Sequence, residues 1–214
     1  MAGQRTALVT GANRGLGQAV AAELSRRGLR VVPTARKAVG ARVLDVTDAD
    51  SVRKAAEQVG AVDVLICNAG VLLDGGTDPL SVPLDLVERT LAVNLLGGWR
   101  VAQLFVPGMI SRGWGRVVFV SSGTGTFDGG LFTGAPGYSV SKTALNGLTT
   151  MLAAHTKGTG VLVNAVNPGP TRTRMMPTAP RPVHESANDI VHAAMLSDDG
   201  PSGVLLRDRR PAPW

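Results

Sequence analysis

Tyr138 and Lys142 stand four apart in Tyr138-Ser139-Val140-Ser141-Lys142. On a helix this spacing brings both side chains out on one face. A phenol with a pKa of about 10 is a poor acid–base group at neutral pH, and a neighbouring ammonium favours its ionised form. Such a pair suits proton transfer to or from a substrate oxygen. Tyr138 is the single tyrosine of the chain. Upstream, Ser121-Ser122 closes an apolar run that reads as a strand. A hydroxyl at the carboxyl end of a parallel strand can stabilise charge developing on a substrate oxygen. Position alone leaves both serines open for that part, and an isolated Y-x-x-x-K is also found as an ordinary exposed helix pair.

A second constellation lies near the N-terminus, in Thr10-Gly11-Ala12-Asn13-Arg14-Gly15-Leu16-Gly17. Glycines here suit a sharp turn from strand into helix, with the backbone open to close approach. The helix start then offers unpaired N–H groups and a positive dipole end to a pyrophosphate. The spacing is T-G-x-x-x-G-x-G, with glycines at 11, 15 and 17, rather than the G-x-G-x-x-G of many dinucleotide enzymes.

With this glycine spacing the chain resembles the short-chain dehydrogenase/reductase family, and further motifs follow in that family's order. Asp45-Val46 stands where the family contacts adenine. Asn68-Ala69-Gly70 follows the fourth strand, and Asn94 lies in Val93-Asn94-Leu95. Ser121-Ser122 and Tyr138–Lys142 come next, then Pro168-Gly169-Pro170-Thr171-Arg172-Thr173 as P-G-x-x-x-T. The resemblance spans residues 6 to about 173. It implies a Rossmann-type fold and hydride transfer between a nicotinamide cofactor and a carbonyl or alcohol. It casts Tyr138 as proton donor or acceptor and favours Ser122 over Ser121 on the substrate oxygen. Lys142 would lower the phenol's pKa and hold the nicotinamide ribose, and Asn94 would hold a water in a relay to the lysine. The cofactor would lie along Gly11, Asn13, Arg14, Gly15, Leu16, Gly17, Arg36, Asp45, Val46, Asn68, Ala69, Gly70, Tyr138, Lys142, Pro168, Gly169, Thr171 and Thr173. Cys67 stands where the family usually has asparagine; a buried small residue is the expected reading, not a reactive thiol.

NAD-preferring Rossmann proteins carry an acidic residue after the second strand, on the ribose 2′-hydroxyl. Arg36 occupies that place here, and Arg14 sits inside the glycine turn. Two guanidinium groups suit a 2′-phosphate, so NADP(H) is the expected cofactor.

The elements that must position these residues alternate along the chain, strand then helix, as in an α/β, doubly wound, mostly parallel sheet. Strands are expected at Thr6–Thr10, Arg30–Ala35, Ala41–Val46, Val62–Cys67, Val117–Ser121, Val161–Val166 and Val204–Leu206. Helices are expected at Gly15–Arg27, from Asp48 or Asp50 to Val59, and over Leu84–Met109, Ser139–His155 and Asn188–Leu196. In the fourth of these, Val140, Ala144, Leu148, Met151 and Leu152 recur at helical spacing as its apolar face. Only Arg36–Gly40 separate the second and third strands, far short of the usual parallel crossover. That implies either a tight extended loop or a misassigned strand. No linker interrupts the pattern, and residues 1–214 are read as one domain.

The 214 residues, 44% hydrophobic and 18% charged, suit one globular α/β domain. No apolar run is long enough to span a membrane, and no apolar leader follows Met1. The single cysteine fits a reducing compartment, so a cytoplasmic protein is expected. The histidines 155, 184 and 192 stand apart, with no metal site expected. Of the net charge of +6, only Arg207–Arg210 clusters basic residues, interrupted by Asp208, and aromatic residues are only 4%. That leaves little with which to stack nucleic-acid bases, and the expected partner is a small carbonyl or alcohol, with a homo-oligomer possible.

After Thr173, only Arg174–Glu185 precede the next helix pattern, so the substrate lid that the family places here is short. Leu72, Leu73, Phe127, Leu131, Phe132, Met175 and Met176 are candidates to line a pocket for a hydrophobic ketone or aldehyde, or to cover a dimer interface. The loop Gly123–Gly137 is longer than the family's common spacing between Ser122 and Tyr138, and the ending Gly203–Trp214 resembles carbonyl-reductase-like members. The competing readings are a non-catalytic NADP sensor on the same fold and a methyltransferase, which would need neither Tyr138 nor Lys142.

Overall fold

Four short runs, Thr6–Val9 (β1), Val64–Cys67 (β4), Gly115–Val120 (β5) and Val161–Asn167 (β6), form the centre of one sheet, and nearly every residue in them is buried. Parallel strands covered on both faces must be apolar on both, which is why these runs do not alternate with polar residues. The computed structural model describes residues 3–37 and 41–214. Arg30–Ala35 (β2), Arg42–Val43 (β3), Leu205–Arg207 (β7) and Arg210–Ala212 (β8) complete the order β3-β2-β1-β4-β5-β6-β7-β8. All neighbours are parallel except the β7–β8 hairpin.

Successive side chains on each strand enter different cores. Leu8, Leu65, Val117, Phe119 and Val163 pack with one layer of helices: Ala49–Val59 (α2), Gly98–Arg112 (α4) and Pro136–His155 (α5). Ala7, Val9, Ile66, Val118 and Val166 pack with Gly15–Arg26 (α1) and Val183–Ala194 (α6). Strand order reverses between β1 and β4, so the crevice at their carboxyl ends is where such a sheet receives a ligand.

Several elements differ from the sequence expectation. The third strand is two residues long rather than Ala41–Val46. Asp45 Oδ1 accepts from the backbone N–H and the hydroxyl of Thr47, an Asx turn that ends the strand. The short β2–β3 link is real, although residues 38–40 lie outside the described residues. Thr34 and Ala35, the last residues of β2, pair with Arg42 and Val43, so the chain retraces a single step and not a whole strand. Asp48 is the cap of α2, its side chain accepting from Asp50 N and Ser51 N.

The helix expected over Leu84–Met109 is Leu84–Leu91 (α3), a π-helical turn at Ala92–Gly97, and α4. The turn brings Gly97 against Val46, where a Cβ would meet the valine side chain at 2.6 Å. The apolar stripe expected on α5 is only half right. Leu148 is buried, but Val140 and Met151 are exposed, and the inner face carries Ser141, Lys142, Leu145 and Thr149 instead. Helix α6 begins at Val183 rather than Asn188, so the segment after Thr173 is shorter still. No described helix is long and apolar enough to cross a membrane.

Candidate active site

At the carboxyl ends of β1 and β4 the chain is braced by one threonine. Thr10 Oγ1 accepts from the N–H groups of Asn68 and Ala69, at 3.0 Å each, while Asn68 Nδ2 donates to Thr10 O at 2.9 Å and Gly11 O at 3.3 Å. This brace sets the glycine requirement. Gly11 has φ +65°, and a Cβ there would lie 3.0 Å from Ala69 Cα. A Cβ on Gly17 would run into Gly11 O and Asn68 Nδ2. Helix α1 starts after Arg14, whose side chain makes no capping bond. Its first N–H groups face the turn with no side-chain acceptor, and this cradle fits a pyrophosphate.

Across the crevice, Ser122 follows β5 and opens a 3₁₀ turn at Gly123–Gly125, its Oγ accepting from Thr124 N at 3.2 Å and Thr124 Oγ1 at 3.0 Å. That turn lies against α5, and a Cβ on Gly125 would meet Lys142 Cβ at 2.6 Å. Ser121 is committed elsewhere: its buried hydroxyl donates to Asn146 Oδ1 at 2.5 Å, and Asn146 Nδ2 donates to Gly125 O. Of the two serines, Ser122 alone keeps its hydroxyl beside Tyr138.

Lys142 is buried, and its Nζ donates to Val120 O at 2.8 Å and lies 5.5 Å from the centre of the Tyr138 ring. Burial pushes the ammonium down to about 8. Burial also raises the Tyr138 phenol, and a hydrogen bond with Ser122 works against that rise. The sequence predicts a phenol lowered by the neighbouring ammonium. In the folded chain burial raises it instead, because the two groups share a low-dielectric pocket that disfavours either charge. The same burial pushes the Cys67 thiol up to about 12, as expected for an inert core cysteine.

Asn94 lies behind the crevice, in the π turn. Its Oδ1 accepts from Val71 N at 2.8 Å, and its Nδ2 donates to Val71 O and Ser141 Oγ, both at 2.9 Å. Ser141 Oγ in turn donates to Tyr138 O. Every polar atom of the amide is thus spent on joining the loop after β4 to α5. π turns recur at functional sites.

One cavity of about 560 Å³ collects most of the expected residues: Gly11, Arg14, Gly15, Leu16, Gly17, Asn68, Gly70, Ser122, Tyr138, Lys142, Pro168, Gly169, Thr171 and Thr173. Asn13, Arg36, Asp45, Val46, Ala69 and Asn94 stand outside its wall. Arg36 is exposed at the end of β2, beside the glycine turn that Ala12 N ties to Thr34 O. Of the apolar candidates, Leu72, Phe132, Met175 and Met176 line the cavity, whereas Leu73, Phe127 and Leu131 do not.

The sequence pattern gave no role of their own to Thr10, Asn167 and Arg181. Asn167 Oδ1 accepts from Gly169 N, and Arg181 donates to Pro168 O and to the buried Asp189, which also holds Arg209. Thr171, expected at the cofactor, is buried and shares its hydroxyl with Gly169 O and Ser186. Thr10 opens the glycine motif and Asn167 flanks Pro168–Thr173, so both could have been read with them. Arg181 belongs to no quoted motif, and its partners Pro168 and Asp189 lie on either side of it in separate segments.

The short chain dehydrogenase family model matches residues 5–182. The chain belongs to the short-chain dehydrogenase/reductase family. Its members include 3-oxoacyl-[acyl-carrier-protein] reductase FabG of Escherichia coli, 32% identical over 95% of this chain and 81% of the relative. Glycine betaine reductase ATRR of Emericella nidulans is 36% identical over 80% of this chain, which spans only 15% of that protein's length. A solved structure described as a short chain dehydrogenase/reductase family protein superposes with a TM-score of 0.86 at 29% identity, covering 95% of this chain and 94% of the other. As a short-chain dehydrogenase/reductase the chain is an oxidoreductase, and the family uses NAD(P)(H) on small-molecule substrates.

Proposed function

We propose that this short-chain dehydrogenase/reductase is a single-domain NADP(H)-dependent reductase of a hydrophobic ketone or aldehyde. The observation that carries the reading is the convergence of Ser122, Tyr138 and Lys142 on the cavity that begins at the glycine turn. A bound nicotinamide supplies or receives the hydride. Ser122 Oγ donates to the substrate carbonyl oxygen, and the Tyr138 hydroxyl delivers the proton as negative charge builds on that oxygen. Lys142 replaces that proton and holds the ribose side of the site. Asn94 keeps α5 and the loop after β4 in register. Leu72, Phe132, Met175 and Met176 supply the apolar wall against which the substrate is desolvated.

The reading is tested by NADPH consumption against a panel of ketones and aldehydes of graded hydrophobicity. Turnover that rises with substrate hydrophobicity is expected, and no turnover of any carbonyl would overturn it. The cofactor preference rests on Arg14, which lines the cavity, and Arg36, exposed at the end of β2. Both can engage a 2′-phosphate, as paired guanidinium groups commonly do. Arg36→Asp is expected to lower kcat/KM for NADPH by roughly 10- to 100-fold, the loss of one charge-assisted contact plus a new repulsion. NADH efficiency should hold or rise, and an unchanged ratio of the two would refute the assignment.

A further inference from the structure

Helix α5 carries Tyr138 in its first turn, and nothing local caps it. Ala135 at the cap position has no polar side chain, and Pro136 has no N–H. The first free donors are therefore Gly137 and Tyr138 themselves. Both are taken by a residue more than sixty positions upstream: Asp74 Oδ2 accepts from Gly137 N at 2.5 Å and from Tyr138 N at 3.3 Å. Asp74 is only 1% exposed. Its other oxygen, Oδ1, is buried with no hydrogen-bond partner.

An ordinary helix cap is a serine, threonine, aspartate or asparagine at the cap position itself, as Asp48 is for α2, worth about 1 kcal/mol. A buried carboxyl with one orphaned oxygen is a costly substitute, and such groups in folded proteins call for a reason. The surroundings supply one. Asp74 belongs to the loop that leaves β4, whose Val71 is clamped by Asn94 and whose Leu72 lines the cavity. Thr77 donates its N–H and hydroxyl to Asp74 O, and Gly76 N donates to Gly134 O, so the loop is bound to the segment just before α5. Gly137 leaves room for the carboxyl, since a Cβ there would lie 3.0 Å from Asp74 Oδ2. A negative group at this end of the helix is also favoured by the helix dipole.

We infer that Asp74 is a positioning residue, which fixes the Tyr138 hydroxyl over the cavity by capping α5 from the opposite wall of the site. The inference rests on the reading of Tyr138 as proton donor. Displacing a reacting group by about 1 Å costs on the order of 100-fold in rate, so Asp74→Ala should lower kcat by roughly 10- to 100-fold. KM for NADPH and NADPH binding should be unchanged. Asp74→Asn keeps an acceptor oxygen and should recover most of the lost turnover.

Labelling with ¹⁵N-tyrosine gives one amide signal, because Tyr138 is the only tyrosine. In the native chain that amide should exchange slowly with solvent, although a first-turn amide ordinarily has no partner. It should exchange faster in Asp74→Ala and slowly again in Asp74→Asn. Native kcat in Asp74→Ala, or equal losses of turnover and NADPH binding in both variants, would overturn the inference. So would an unprotected Tyr138 amide in the native chain, a result that needs neither variant to fold. If the native chain reduces no carbonyl, the proposed function fails, and the amide measurement still decides whether Asp74 holds Tyr138.

Discussion

Tyr138→Phe is expected to reduce carbonyl turnover by roughly 10²- to 10⁴-fold, the range for loss of a positioned acid–base group, with NADPH binding unchanged. Phenylalanine keeps the ring and its packing and removes only the hydroxyl, so the loss falls on proton delivery. The pH profile should sharpen the assignment. Burial holds the phenol above its ordinary range, so Tyr138 stays protonated, as a donor must, well into the alkaline range. The first alkaline loss of reductase activity should then come from Lys142, whose ammonium is lowered to about 8. In the oxidation direction the phenolate is the useful form, and the rate should rise with pH instead. Turnover that survives in Tyr138→Phe would remove the tyrosine from the chemistry.

Lys142→Met is expected to be inactive and yet more stable than the native chain at neutral pH. The folded protein binds the lysine proton more weakly than the unfolded chain, because burial has moved its pKa from the ordinary 10.5 to about 8. Between those values the unfolded chain holds a proton that the folded chain has released. The contribution of this group to stability therefore rises with pH across that window. Below about 8 the burial cost is present in full, about 3 kcal/mol from the size of the shift. Methionine fills the same space without that cost but takes the ammonium donor from the buried Val120 O, worth about 2 kcal/mol. Thermal melts at pH 7 should show the variant stabilised by about 1 kcal/mol, with the advantage lost towards pH 10. A destabilised variant with no pH dependence would contradict this account. A charge kept in the core at such a cost is the kind of strain that functional sites carry.

The glycine turn, the order of motifs and the βα alternation were legible in the sequence because each rests on local chemistry. Glycine is needed where the backbone turns or is approached closely, apolar runs mark strands covered on both faces, and Asp48 caps α2 from its own position. The second and third strands could not be settled that way. Their short link works only because β3 pairs with the last two residues of β2, and register is a long-range property. The closing hairpin was missed for a related reason. Asp208 and Arg209 adopt positive φ without the Asn-Gly signal that usually announces such a turn. Arg209 is held there by Asp189 from α6.

At the site the division falls between identity and state. Residue types and spacing placed Tyr138 and Lys142 on one helix face and a phosphate-binding turn at Gly11–Gly17, and the family resemblance added Ser122 and the dinucleotide. Only the tertiary structure decided that Ser121 is spent on Asn146, that Asn94 and Asp74 hold the walls around Tyr138, and that burial raises the tyrosine's pKa. Chemistry carried by a residue and its helix neighbours can be read along the chain. Desolvation and bonds between distant segments exist only once the chain has folded and excluded water.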